Sequence, residues 1–162
     1  MTLTVEQLNE YAVPLARTLG VVVVEAGPER VVAEMEVRAD ICTLGDTLHG
    51  GAMMSLADIA GAIGAFVSLP EGAVGTTTTE SKTNMISSPP VGTKVIATAT
   101  PIHKGSTSQV WQTRIEREDG KLVSLTTQTQ LNMWPRGEGE TLKPRTRSDP
   151  APVSACSALR PG

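Results

Sequence analysis

Aromatic side chains are nearly missing from this sequence. Tyr11, Phe66, Trp111 and Trp134 are the whole set in 162 residues. Single-stranded nucleic acid is bound largely by stacking bases on aromatic rings, so that class of function is disfavoured. A ligand pocket walled by protein rings is disfavoured for the same reason. Excess charge is missing too. Fourteen basic and seventeen acidic residues leave a formal charge of −3, with no field directed at nucleic acid or an anionic membrane. Cysteine is scarce: Cys42 and Cys156 stand alone, at no metal-binding or redox spacing. A reducing, cytoplasmic setting without a structural disulfide is therefore expected, and no metal or cofactor is implied. Met1 is not followed by a basic segment leading into an apolar run, so no export signal is expected.

One long apolar run is present. "DTLHGGAMMSLADIAGAIGAF" covers Asp46 to Phe66, and between Gly50 and Pro70 its only charge is Asp58. Its length approaches that of a membrane span. A carboxylate at the centre would cost roughly 2.5–3.5 kcal/mol on insertion, and Gly61 and Gly64 weaken such a span further. The run reads instead as a helix over about 51–68, buried inside a soluble protein and apolar on nearly all sides.

The flanking sequence supplies a sheet. Residues 4–18 have the pattern of one short amphipathic helix, with Thr4 as N-cap and Pro14 as a local fault. "GVVVVEA" (20–26) and "RVVAEMEV" (30–37) form a hairpin about Gly27-Pro28-Glu29. Residues 38–48 read as an irregular connector. After the apolar helix the period switches to two, giving strands over 76–86, 93–103, 107–117 and 121–134. Their short connections imply a four-strand meander of antiparallel neighbours. The face rich in Thr, Gln and Ser is expected to meet solvent. From 135 to 162 periodicity is lost and Pro, Gly, Ser and charge dominate, the composition of a disordered tail. The class is α+β: an N-terminal helix over 1–18, then one domain over 19–134 with an antiparallel sheet bent around one buried helix.

A lone carboxylate among small and aliphatic residues is expensive to bury, and such groups concentrate where chemistry is done. The same helix opens on Gly50 and Gly51, whose bare backbone leaves N–H donors accessible at the positive end of the helix dipole. That is a natural site for a developing oxyanion. The two features lie apart: eight residues at ~1.5 Å rise separate Gly50 from Asp58 by ~12 Å. They cannot meet on one reacting carbon within one chain. Two antiparallel copies of the helix related by a two-fold axis would bring them together, so a homodimer with two composite sites is expected.

The stretch "HGGAMMSLAD", with the acid nine residues after His49, resembles the hotdog-fold acyl-CoA thioesterases of the phenylacetic-acid-degradation (PaaI) type. The resemblance continues through "ESKTNMISSPPVGTKVIATATPIHKGSTSQVWQTRIEREDGKLVSLTTQTQLNM" and covers roughly Leu19 to Met133. It implies a hotdog fold, a homodimer pairing again into a homotetramer, and hydrolysis of an acyl-CoA thioester to free acid and coenzyme A without a cofactor. By position, Gly50 would donate its N–H to the thioester carbonyl, with Gly51 beside it, and His49 would position that loop. Asp58 of the partner chain would act as nucleophile or as base on water. Thr78, with Thr77 as its rival, would hold the water. Thr43 stands where related enzymes often carry Asn or Gln. The turn His103, Lys104, Gly105 and Ser106 would bind phosphates of coenzyme A. A non-catalytic acyl-CoA-binding protein and a hotdog hydratase or dehydratase remain as alternatives. The first gains nothing from a buried carboxylate, and the second wants an Asp–His pair for which only His103 is left.

Overall fold

A computed structural model describes residues 3–135. The segment read above as a tail lies outside the described residues, apart from Pro135. The amphipathic N-terminal stretch forms two helices rather than one, α1 (Val5–Glu10) and α2 (Pro14–Leu19). Thr4 caps α1 in a reciprocal box with Gln7. Pro14 opens α2 as its first residue, where a missing N–H costs nothing. Proline is thus a start signal here, and the single helix expected over 4–18 is corrected. Asn9 then reaches across to the edge of the sheet. Its side chain donates to the Val23 carbonyl at 2.9 Å and accepts from the Val23 N–H at 2.8 Å, standing in for a neighbouring strand.

The main sheet has six strands, β1 (Val22–Ala26), β2 (Val31–Glu36), β5 (Gly75–Met85), β6 (Lys94–Lys104), β7 (Ser108–Arg117) and β8 (Leu122–Met133). Between β2 and the long helix the connector is more ordered than its sequence suggests. A 3-10 turn over Ala39–Ile41 leads into a small hairpin of β3 (Cys42–Thr43) and β4 (Thr47–Leu48). Its tip places Gly45 and Asp46 at φ 82° and 52°. The order across the main sheet is β1-β2-β6-β7-β8-β5, antiparallel throughout. The four-strand meander is therefore corrected. β6, β7 and β8 are consecutive neighbours, but β5 lies beyond β8 at the far edge. Pro89 and Pro90 are why. They cannot extend a hairpin ladder, and this stretch instead binds β4 and its approach, with Leu48 N–H on the Pro89 carbonyl at 2.9 Å and Val91 N–H on the Asp46 carbonyl at 2.8 Å.

The helix α3 (Gly50–Val67) lies against the concave face. By length and composition it could cross a membrane, yet half of it is buried inside this fold. It buries Met53, Leu56, Ala57, Ile59, Ala60 and Ala65 against Val31, Ala33 and Met35 of β2, Val95, Ala97 and Ala99 of β6, and Trp111 and Ile115 of β7. Two helix glycines set the depth of contact. A Cβ at Gly64 would stand 2.5 Å from Trp111 Cζ3, and one at Gly61 would stand 2.6 Å from the Gln128 amide.

The expected solvent-facing polar face is also corrected. Gln109, Thr113, Ser124, Thr126, Gln128, Gln130 and Asn132 are all buried. They sit opposite one another across β7 and β8 on the same face as Trp111 and Ile115. The half of the sheet that receives the Asp58 side of α3 is thus lined with amides and hydroxyls, which bond carbonyls of α3, the turn after β6 and side chains of β5, while Ser124 Oγ and Gln128 Oε1 have no partner among the described residues.

Candidate active site

The N-terminus of α3 is organised by its cap. His49 is the N-cap residue, and its Nδ1 accepts the Gly51 N–H at 2.9 Å. An Nδ1 that accepts carries no proton, so the neutral ring holds its proton on Nε2. The backbone N–H of His49 is bound by the Ile41 carbonyl at 3.0 Å, which ties the small β3–β4 hairpin to the start of the helix. Gly51 therefore has no donor to spare. The N–H of Gly50 has no acceptor among the described residues. A Cβ at Gly50 would stand 2.7 Å from Sδ and Cε of Met85, so the thioether lies directly over this position.

Asp58 lies two turns further along, half-buried, facing β5 and β8. Thr78 donates to its Oδ1 at 2.7 Å. Gln130 Nε2 in turn donates to Thr78 Oγ1 at 2.7 Å, and Thr76 Oγ1 donates to Gln130 Oε1 at 3.0 Å. Gln128 Nε2 approaches the Asp58 carbonyl at 3.3 Å and Oδ1 at 3.4 Å. Oδ1 thus receives the protein's donors, while Oδ2 is left without a protein partner among the described residues. An oxygen held in this way, with its twin free, suits a carboxylate that must present one lone pair in a fixed direction.

The two threonine candidates are separated by strand register. Thr78 pairs with Gln130 and faces the helix, whereas Thr77 pairs with Leu131 and is exposed on the outer face. Thr43 is exposed on β3, paired with Thr47. Three strands from Thr78, in the same cross-strand row through Gln130 and Gln109, Lys104 binds the Glu29 carboxylate and, at 3.1 Å, the Pro28 carbonyl. A phosphate there would compete with Glu29. The Gly105 N–H is taken by the Ser108 carbonyl at 3.0 Å, and the exposed His103 ring lies against Gly105. Asn132 clamps this turn by donating to the Gly105 and Ser106 carbonyls at 2.9 and 3.0 Å. Asn132 is itself held by Gln109, which also binds Ala65 near the end of α3 and accepts from Trp111. Within one chain the turn and Asp58 remain distinct clusters.

The sequence reading missed Thr76, Gln109, Gln128, Gln130 and Asn132 as parts of these clusters. The signal was present in "QTQLN", where amides recur at period two on the strand that also bears the buried Thr126.

An antiparallel sheet packed on one long apolar helix is the hotdog fold, the architecture of the hotdog thioester hydrolases. Residues 45–124 match the thioesterase superfamily model. The chain is 32% identical over 111 residues to the 1,4-dihydroxy-2-naphthoyl-CoA hydrolase of Listeria monocytogenes serotype 1/2a (strain 10403S), covering 68% of this chain and 89% of that one. Among solved structures it is similar to a thioesterase from Haemophilus influenzae, with TM-score 0.79, 28% identity and coverage of 86% of this chain and 97% of the other. It is likewise similar to a mutant form of the phenylacetic acid degradation protein PaaI from Thermus thermophilus, at TM-score 0.69 and 28% identity, over 75% of this chain and 100% of that one. The chain belongs to the thioesterase superfamily.

Proposed function

We propose that the protein is an acyl-CoA thioesterase whose active site is shared between two subunits. Gly50 of one protomer binds the thioester carbonyl through its free N–H, and Asp58 of the partner works on the carbonyl carbon. The observation that carries this reading is the oriented carboxylate. Thr78 occupies Oδ1 and leaves Oδ2 for the reaction, while an unpaired donor waits ~12 Å away along the same helix.

The geometry supports a dimer in two further ways. β5 is an eleven-residue edge strand, and a long open edge invites pairing with a second copy. Around the start of α3, Leu44, Met54, Met85 and Ile86 expose apolar side chains, as a subunit contact or an acyl channel requires. Pairing of such dimers into a tetramer, and a cytoplasmic setting, complete the proposal.

In this scheme the Gly50 N–H and the helix dipole stabilise negative charge developing on the carbonyl oxygen. Either water adds to the carbonyl carbon as Asp58 takes its proton and the C–S bond breaks, the proton passing to the departing coenzyme A thiolate, or the Asp58 carboxylate adds, the C–S bond breaks to release the thiolate, and water then hydrolyses the acyl-Asp58 anhydride to free acid and carboxylate. Lys104, in exchange for Glu29, takes a phosphate of coenzyme A. The test is thiol release from a panel of aryl-, short- and medium-chain acyl-CoAs by wild type and Asp58→Asn. A loss of turnover of at least about a hundredfold is expected. A folded variant that keeps most of its activity on the best substrate refutes the role of Asp58.

A further inference from the structure

We infer that Gln130 is a positioning residue for hydrolysis, acting through Thr78 to fix which oxygen of Asp58 is presented to the substrate. This rests on the reading of Asp58 as the reacting carboxylate. It deepens that reading by naming what sets the direction of the Asp58–Thr78 bond.

A threonine hydroxyl has one proton and two lone pairs. Standing 2.7 Å from a carboxylate, it can rotate its proton toward Asp58 or elsewhere. Gln130 removes that freedom. Its Nε2 donates to Thr78 Oγ1 at 2.7 Å, so the region of the hydroxyl facing β8 must accept, and the single proton is directed to Asp58 Oδ1 at 2.7 Å. The amide cannot sit the other way round. Reversal would set the Gln130 oxygen and the Asp58 carboxylate in competition for the one Thr78 proton. As placed, Thr76 Oγ1 lies 3.0 Å from Gln130 Oε1 and 3.2 Å from the Leu131 carbonyl, two acceptors that share its one proton. Gln130 is fully buried, so water does not scramble this order. The line Thr76, Gln130, Thr78, Asp58 therefore has one polarity, and it ends at Oδ1.

Gln130 touches neither Gly50 nor any surface a substrate could reach. Its effect must pass through Thr78, which makes the inference open to a double-mutant cycle. Gln130→Met keeps the length of the side chain and removes both polar ends. Thr76 retains the Leu131 carbonyl, so the strand pair is not left with an orphan hydroxyl. Gln130→Glu keeps the shape but reverses the polarity, since the introduced carboxylate draws the Thr78 proton away from Asp58.

Steady-state thiol release would be measured for wild type, Asp58→Asn, Gln130→Met, Gln130→Glu, Thr78→Val and Gln130→Met/Thr78→Val, each checked for folded secondary structure. With Asp58→Asn inactive, Gln130→Met is expected to lower kcat about three- to tenfold, the value of one oriented hydrogen bond, with KM within about twofold of wild type. Gln130→Glu is expected to lower kcat further. In the Thr78→Val background Gln130→Met should cost nothing more. Should Gln130→Met not fold, Gln130→Glu alone carries the comparison. If Asp58→Asn is inactive but the Gln130 variants keep wild-type kcat, or lose it equally with and without Thr78, this inference is overturned and the role of Asp58 stands. If Asp58→Asn stays active, the proposed function falls and this inference with it.

Discussion

Gly64→Ala sets two known effects against each other. Alanine is the better helix former by about 1 kcal/mol, so on propensity alone the change should stabilise α3. The structure gives the opposite sign. A Cβ at this position would stand 2.5 Å from Trp111 Cζ3 and 2.8 Å from both Cε3 and Cη2. Those atoms belong to a rigid ring that is fully buried and whose Nε1 donates to Gln109 at 3.1 Å. Gln109 in turn holds Ala65 and Asn132. The indole cannot step aside without breaking that chain, so overpacking falls in the upper part of the usual range, about 2–3 kcal/mol, and exceeds the propensity gain. A fall in Tm of about 3–8 °C is expected, the range for a net loss of about 1–2 kcal/mol in a domain of this size. Thermal unfolding followed by circular dichroism at fixed protomer concentration measures it. A rise in Tm would show that α3 does not seat against Trp111 as described.

Three further outcomes follow from the same contacts. Asn132→Leu removes the donors held by Gly105 and Ser106 and the acceptor held by Gln109; urea unfolding should show a loss of at least about 1–3 kcal/mol, the cost of stranding buried polar groups. Glu29→Gln weakens the hold on the Lys104 ammonium and should lower KM for acyl-CoA, while Lys104→Ala should raise it about three- to tenfold, and neither should change KM for a thioester lacking the nucleotide phosphates. Single-turnover hydrolysis in ¹⁸O-water tests the nucleophilic role open to Asp58: an unlabelled first acid with ¹⁸O left on Asp58 identifies a covalent acyl-Asp58 intermediate opened by water at the Asp58 carbon.

How much of this is legible in the sequence differs by element. α3 is legible because its apolar run is long, its start is marked by His49-Gly50-Gly51, and one charge interrupts it. The strands are legible from their period of two, whereas Thr78 as the hydroxyl candidate on β5 comes from the family resemblance, and only the register with β8 distinguishes its inward side chain from the exposed Thr77. Sheet order is not legible. Local pattern gives where strands lie but not which edge β5 joins, and Pro89-Pro90 can be read as a turn or as the start of a crossover. The facing of β7 and β8 is misread because alternation separates two faces without saying which is inside. Composition assigns Thr, Gln and Ser to solvent, whereas here they are buried beneath α3 and bond its carbonyls and side chains of β5. For the same reason Gln130 and Asn132 are invisible as site components: an amide on a strand gains its meaning from the residue opposite. Pro14 reads as a helix fault because the break after Glu10 depends on Asn9 turning to the β1 edge.

The central claim is that each site takes Gly50 from one protomer and Asp58 from the other. Gly50→Pro deletes only the proposed donor. Position 50 is the first helical residue, where proline is tolerated, and His49 already has the extended backbone, ψ 138°, that precedes proline well. The flexible Met85 thioether can give way. Asp58→Asn and Gly50→Pro proteins, each inactive alone, would be unfolded together, refolded as a 1:1 mixture and assayed for thiol release. Random pairing makes half the dimers mixed, and each mixed dimer has one intact site of two, so about a quarter of wild-type specific activity is expected. A mixture no more active than its parents, with mixed dimers shown to have formed, would contradict the shared site.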